Sequence, residues 1–257
     1  MMQTSVHQTT NNTSSTLPLT IPPNMPPHRI RTIVERSEAI PPGEQALALA
    51  VAAEALGNSA ILKECILSGL QHGATPHEYY EAMLQTYLFA GFPAALEGLT
   101  VLQSVLKENN ISFHAPVAAE YTVSAFAERG SALCETIYTN AYSKMRSNLS
   151  SLSPDLSEWM IVEGYGKTLA REGLSLRVRE LLNVSILAVM GWKTQLYSHL
   201  RGAMIVGAQP IECIDILNNL EIFTEPYIQE RVQRAKLVLE TLLGRTTEHE
   251  QEQRHHA

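Results

Sequence analysis

The stretch from 173 to 210 constrains the fold most, because it encodes two consecutive helices that must fold back on each other. Ser175 can cap the first helix, and Gly191 ends it. The second helix stops at Gly207, shortly before Pro210. Almost every position of the first helix is apolar, which predicts burial nearly all round. The segment is therefore expected to form an antiparallel helical hairpin inside the protein.

Two polar side chains, Glu180 and His199, stand out in this hairpin. Glu180 lies eleven residues before Gly191 and His199 eight residues after it. At about 1.5 Å per residue, their heights along the hairpin differ by only ~4–5 Å. A buried carboxylate needs a partner, and an imidazole beside it can form a pair that moves protons near neutral pH. We expect such an acid–base pair; the alternative is a histidine that is simply hydrogen-bonded in the core.

Other polar or aromatic side chains flank this pair. Trp192 and Gln195 lie on the same edge of the second helix as His199, three and four residues apart. Gln195 is a candidate hydrogen-bond donor to a substrate, whereas Trp192 is a candidate for either packing or substrate contact. A basic run precedes the pair and is expected on a solvated or subunit face, although one arginine could hold a substrate carboxylate. The run consists of Arg171, Arg177 and Arg179.

The runs RELLNVSILAVMG and HLRGAMIVGAQP resemble the carboxymuconolactone decarboxylase superfamily, which includes the alkylhydroperoxidase D-like proteins. The resemblance implies the helical fold of that superfamily, with Glu180 and His199 as catalytic residues. In the peroxidase branch a Cys-x-x-Cys pair precedes the histidine, but here those positions are Trp192 and Gln195. Disulfide exchange needs a thiolate pair. The resemblance therefore favours the decarboxylase branch over a peroxidase-type member.

The chain also repeats itself at an interval of 134 residues. This shift places Gly57 on Gly191 and Pro76 on Pro210, with apolar residues in step between them. No segment shows the two-residue period of a β-strand. The sequence therefore predicts an all-α protein, and with the resemblance it predicts two tandem carboxymuconolactone decarboxylase-like repeats.

The first copy lacks the acid–base pair, since Ala46 and Cys65 stand at the positions of Glu180 and His199. It keeps the run EAMLQTYLFAGFPAALEGL, which resembles the helix and loop that follow the histidine motif in these decarboxylases. Tyr87 in this run is expected to reach the pocket of the second copy, from the other half of the chain or from another subunit.

These patterns divide the chain into five segments. The first is rich in Thr, Ser, Asn and Pro without an apolar core, which is typical of a disordered tail rather than a secretory signal. The predicted organisation is a disordered tail over 1–27, a degenerate first repeat over 28–115, a helical linker over 116–172, the repeat with the acid–base pair over 173–244, and a mobile tail over 245–257.

Charge and composition exclude several functional classes. The net charge of −7 and the absence of a basic stripe argue against nucleic-acid binding. No window approaches ~18 apolar residues without a charge, so no membrane partner is expected and the protein is placed in the cytoplasm. Cys65, Cys134 and Cys213 are too few and too scattered for a disulfide framework or a metal site. We therefore expect neither a metal nor a cofactor.

The resemblance implies a cofactor-free decarboxylase or isomerase of a small carboxylated lactone or keto acid. His199 would be the general acid, Glu180 would orient it, and Gln195 could donate to the developing oxyanion. A non-catalytic small-molecule-binding or scaffold protein of the same fold is the main alternative, and a peroxidase-type thiol enzyme ranks last. A homo-oligomer is expected, because so apolar a hairpin usually needs neighbours.

Overall fold

The computed structural model describes residues 29–116 and 121–255, so the predicted tail over 1–27 lies outside the described residues. Within them the architecture is all-α and no strand occurs, which confirms the predicted class. The helices are α1 (Arg29–Arg36), α2 (Pro42–Ala55), α3 (Ser59–Gln71), α4 (Pro76–Glu108), α5 (Val123–Tyr138), α6 (Tyr142–Leu152), α7 (Pro154–Trp159), a π-helix (Met160–Leu169), α8 (Leu176–Met190), α9 (Lys193–Ile205), α10 (Pro210–Asn219) and α11 (Pro226–His255).

The predicted hairpin is formed by α8 and α9. Ser175 accepts a hydrogen bond from the backbone N–H of Val178 and so caps α8, as its position in the sequence predicts. Gly191 ends α8 with a φ of +79°, in the left-handed region that favours glycine. Nearly every α8 residue is buried, as expected from its apolar composition.

The helix bounds repeat at the interval found in the sequence. Helices α2, α3 and α4 begin at 42, 59 and 76, and α8, α9 and α10 begin 134 residues later, at 176, 193 and 210. The glycines between these helices also correspond, because Gly57 and Gly191 both have positive φ, as do Gly73 and Gly207. The backbone therefore follows the same helical plan twice.

The two sets of helices share one hydrophobic core, in which α2 packs against α8. The Ser185 hydroxyl on α8 donates to the carbonyl of Ala48 on α2 at 2.6 Å. At the start of the same helices, Arg177 pairs with Glu44 at 2.7 Å and also with Glu212. The two halves are thus held together by burial and by polar contacts.

Helix α4 is kinked at Gly91, where φ is +85° and ψ is +167°, two residues before Pro93. Among the described residues it is the one helix long and apolar enough to cross a membrane, by length and composition alone. Its first half, however, places Glu81 and Gln85 against the buried guanidinium of Arg179, at 2.9 and 3.1 Å. That half of α4 therefore packs inside the protein.

The predicted linker is helical and forms a second small core between α5 and the π-helix. Gly130 and Gly166 allow this close packing, since a Cβ at either position would overlap a backbone carbonyl of the opposite helix. At the other end of the chain, α11 runs from Pro226 to His255 and so enters the segment over 245–257 that the sequence predicts as a mobile tail. The residues after Gly244 include Glu, Gln and Arg, which are good helix formers.

Candidate acid–base site

Glu180 and His199 meet across the α8–α9 hairpin. Nδ1 of His199 lies 2.7 Å from Oε2 of Glu180. Glu180 is 1% exposed and His199 is 8% exposed, so the pair is almost completely removed from solvent. A hydrogen bond to an ionised group in such surroundings is strong, because little water competes for either partner.

Gly202 makes room for the carboxylate. A Cβ at this position would lie 3.1 Å from Oε2 of Glu180 and 2.9 Å from a methyl carbon of Ile137 on α5. Either contact is tighter than ordinary packing allows. Helix α5, from the predicted linker, therefore closes the site on the Glu180 side.

An amide chain reaches the pair from α4. Nδ2 of Asn183 lies 3.3 Å from Nδ1 of His199, and Nε2 of Gln85 donates to Oδ1 of Asn183 at 2.9 Å. Phe89, one turn after Gln85, meets the imidazole edge-on with 5.6 Å between ring centroids. The helix that follows the first-copy hairpin thus contributes directly to the site of the second copy.

The other ring nitrogen of His199, Nε2, has no hydrogen-bond partner among the described residues. Nε2 is not among the fully buried side-chain atoms without a hydrogen-bond partner in the described part of the chain. Because Nδ1 is held by Glu180, Nε2 is the nitrogen that can exchange a proton with a bound molecule.

The structure separates the other predicted site residues from the pair. Trp192 is 53% exposed at the start of α9, and Gln195 is exposed one turn before His199 on the same helix. Tyr87 turns toward the π-helix, where its hydroxyl contacts the Glu163 carboxylate at 3.2 Å and the Thr168 hydroxyl at 3.0 Å. The aromatic residue of α4 that contacts His199 is therefore Phe89.

The basic run does not form a solvated face as predicted. Arg179 is 1% exposed and donates to Glu81 at 2.9 Å. Arg171 forms a bidentate ion pair with the same carboxylate. Burial lowers the pKa of Arg179, and the Glu81 carboxylate opposes this shift. Glu81 therefore pairs with both guanidiniums, while Nε of Arg179 has no hydrogen-bond partner among the described residues.

Sequence reasoning missed a pair of phenols near Glu180. The Tyr165 hydroxyl donates to the Tyr138 hydroxyl at 3.1 Å. Burial raises the pKa of Tyr138 to about 12, and the charge of Glu180 adds to this effect. Tyr138 therefore keeps its proton near neutral pH and can donate a hydrogen bond. Tyr138 falls in the segment over 116–172, which the sequence predicts only as a helical linker.

The three cysteines do not form a redox site. Cys65, Cys134 and Cys213 are free and buried. Burial raises the pKa of Cys134 and of Cys213 to about 12, and it raises the pKa of Cys65 as well. Within the described residues no group of three or more His, Cys, Asp or Glu side chains could hold a metal ion.

A separate cavity of about 660 Å³ lies between α9 and α11. Its lining includes Leu196, Tyr197, Val238 and two arginines, Arg231 and Arg234. Neither Glu180 nor His199 contributes to this lining. This cavity and the acid–base pair are therefore different places in the molecule.

No protein-family model matches this chain, and no curated protein is significantly similar to it. The side chains of the site provide a buried carboxylate–imidazole pair with one imidazole nitrogen free, two amides behind it, and a phenol that remains protonated.

Proposed function

We propose that the protein is a cofactor-independent enzyme that moves a proton to or from carbon, in the manner of a decarboxylase or isomerase. Its substrate would be a small carboxylated lactone or keto acid. The observation that carries this proposal is the 2.7 Å contact between Glu180 and His199, in a buried site that leaves Nε2 of the imidazole without a partner. A general acid or base needs an atom that can reach the transferred proton, and Nε2 is that atom while Glu180 holds Nδ1.

The proposed reaction uses the two ring nitrogens differently. When the substrate loses CO₂, the electron pair of the broken C–C bond passes into the neighbouring carbonyl and gives an enolate. Nε2 of His199 then delivers its proton to the carbon, and the electron pair returns to form the new C–H bond. Throughout this step Nδ1 stays hydrogen-bonded to Glu180, which balances the positive charge of the imidazolium before transfer. A proton taken up from the solvent then restores the imidazolium, so each turnover consumes one proton for the carboxylate that leaves as CO₂.

The developing oxyanion needs hydrogen-bond donors. Tyr138 is one candidate, because its phenol keeps its proton and lies close enough to Glu180 for that carboxylate to act on its pKa. Gln195 is exposed one turn before His199 on α9 and would have to turn toward the pair to serve as the other. These donors would stabilise the enolate without a metal ion.

We assign the fold to two tandem alkylhydroperoxidase D-like repeats, of which only the second is active. The repeated helix bounds support this assignment. In the first copy the Tyr79 hydroxyl donates to the carbonyl of Cys65 at 2.7 Å and fills the space beside Ala46 and Gly69. A phenol therefore lies where the second copy has its acid–base pair, and each chain would hold one site.

A non-catalytic small-molecule-binding protein is the second candidate. The separate cavity between α9 and α11 favours it, since that cavity contains no acid–base pair and is lined by apolar groups and arginines. In this case the Glu180–His199 contact would serve stability alone. For either candidate we propose a small carboxylate as ligand and the cytoplasm as location.

The test is a screen of small carboxylated lactones and keto acids for CO₂ release and for uptake of deuterium at carbon from D₂O. The wild-type protein is compared with His199→Gln and with a matched control, His114→Gln, which changes an exposed histidine. Turnover that is lost only in His199→Gln supports the proposal. Binding of a carboxylate without CO₂ release or deuterium uptake, with equal affinity in all three proteins, supports the binding protein instead.

A further inference from the structure

Two rows of side chains, one on α4 and one on α8, face each other across the boundary between the repeated halves. Glu81, Gln85 and Phe89 follow each other at intervals of four residues on α4, and Arg179 and Asn183 do the same on α8. Residues four apart share a helix face. The first row ends at the imidazole of His199, because Phe89 meets the ring edge-on.

The hydrogen bonds in these rows have a fixed direction. A guanidinium has donors and no acceptor, so Nη1 of Arg179 must face the oxygen of the Gln85 amide, which lies 3.1 Å away. The Gln85 nitrogen then donates to the backbone carbonyl of Arg179 at 3.1 Å and to Oδ1 of Asn183 at 2.9 Å. Gln85 cannot rotate its amide without losing all three contacts.

The orientation of the Gln85 amide also fixes the orientation of the Asn183 amide. Because its oxygen accepts from Gln85, its Nδ2 is the atom that lies 3.3 Å from Nδ1 of His199. An amide nitrogen has no lone pair to offer an N–H donor. The only acceptor near a proton on Nδ1 is therefore the carboxylate of Glu180, at 2.7 Å.

We propose that Gln85 is a positioning residue for His199. By fixing the amide of Asn183, it assigns the Nδ1 proton to Glu180 and leaves Nε2 as the nitrogen that faces a bound molecule. The row on α8 begins at Arg179. Its guanidinium donates to the Glu81 carboxylate and to the backbone carbonyls of Arg171 and Glu172. The effect of Gln85 on turnover rests on the proposed function, whereas its effect on the imidazole does not.

The test is Gln85→Glu, which keeps the size of the side chain and the acceptor for Arg179 but removes the donor to Asn183. The amide of Asn183 then has to turn its nitrogen toward the new carboxylate and its oxygen toward His199. The Nδ1 proton of His199 then has two acceptors, the Asn183 oxygen and the Glu180 carboxylate, and is shared between them. The readout is the ¹H–¹⁵N spectrum of the protein labelled with ¹⁵N-histidine, in which the Nδ1 proton of the wild type is assigned by its loss or shift in Glu180→Gln.

We expect Gln85→Glu to move the Nδ1 proton resonance upfield, as a weaker bond to the carboxylate requires. Gln103→Glu makes the same chemical change at an exposed position of α4 and leaves the resonance in place. Gln85→Met, which removes donor and acceptor without adding charge, frees Asn183 and also shifts the resonance. This second variant decides the result if the first does not fold.

An Nδ1 resonance that is unchanged in a folded Gln85→Glu or Gln85→Met protein overturns the proposal. Once a substrate is known, turnover by Gln85→Glu is expected to fall about tenfold, equivalent to about 1.4 kcal/mol of barrier. A shifted resonance with unchanged turnover keeps the positioning role of Gln85 and contradicts only the proposed acid–base function. Slower turnover with an unchanged resonance also overturns the proposal, because Gln85 then acts by another route.

Discussion

The carboxylate of Glu180 accepts a hydrogen bond from Nδ1 of His199 over 2.7 Å, and the two residues come from different helices of one hairpin. The contact is buried, and the side chains that lie beside it include the amide of Asn183. It follows that a change to either residue affects a single hydrogen-bonded unit, and the two single variants should behave alike.

We first predict the effect of removing either member of the pair. His199→Gln and Glu180→Gln should each lower turnover more than tenfold, since one removes the proton donor and the other its partner. Helical content, measured by circular dichroism, should change little. If His199→Gln keeps more than about a tenth of the rate, equivalent to under ~1.4 kcal/mol of barrier, the general-acid role is wrong. His114→Gln is the control on an exposed histidine.

Gly202→Ala tests the space around the carboxylate. The added methyl group would lie 3.1 Å from Oε2 of Glu180 and 2.9 Å from Ile137. We expect a loss of stability of about 1–3 kcal/mol from overpacking and a displaced carboxylate that slows turnover. Gly244→Ala, where a new Cβ meets nothing within 4 Å, should have neither effect. Chemical denaturation and the rate assay measure both, and full activity in Gly202→Ala would argue against a carboxylate of fixed position.

Thiol chemistry should play no part in the activity. Cys65, Cys134 and Cys213 are buried, and burial raises the pKa of all three thiols, so the reactive thiolate is scarce near neutral pH. Iodoacetamide at pH 7 should leave both the fold and any turnover intact, and no peroxide should be consumed. Inactivation by alkylation of a protein that stays folded would contradict this prediction.

The buried carboxyl of Glu54 should make the free energy of unfolding depend on pH. Glu54 is 3% exposed, neither carboxylate oxygen has a hydrogen-bond partner, and the nearby Thr86 hydroxyl donates to the carbonyl of Ala82. Burial raises the pKa of Glu54 well above its usual range. The folded state therefore holds this proton more tightly than the unfolded state does, and the resulting stability is complete below the unfolded pKa and is lost as pH rises through the folded pKa.

Glu54→Gln should remove this dependence. At pH 7 to 8 we expect the variant to be more stable than the wild type, by up to roughly 1–3 kcal/mol for a buried group without a partner. Near pH 4, where the wild-type carboxyl is protonated in both states, the difference should vanish. Denaturation curves across this range decide the matter, with Glu97→Gln as the control at an exposed position of α4. Equal stability at both pH values would show that Glu54 finds a partner.

Association of the chain is the last prediction. Large apolar side chains remain exposed on neighbouring helices of the linker, where Leu152 is 79% and Trp159 is 62% exposed. Covering such surface in a second chain is favourable. We expect a homo-oligomer, most simply a dimer or trimer, in light scattering at micromolar concentration. A monomeric mass would contradict this expectation.

The sequence by itself determined the local plan of the hairpin and its repetition. Ser175 and Gly191 mark the ends of α8 because capping and left-handed φ depend on single residues. The distances of Glu180 and His199 from the turn set their heights, so their meeting followed from helix geometry. The 134-residue repeat fixed the starts of the corresponding helices in the same way.

Only the tertiary structure decided which side chains reach the pair from elsewhere in the chain. Tyr87 and Phe89 are two residues apart, which is about 200° around a helix, so packing can bring only one of them to His199. The rotation of α4 against α8 is set by contacts across almost a hundred residues, such as that between Gln85 and Asn183. No local pattern encodes such a rotation, since it depends on how all the apolar faces fit together in one core.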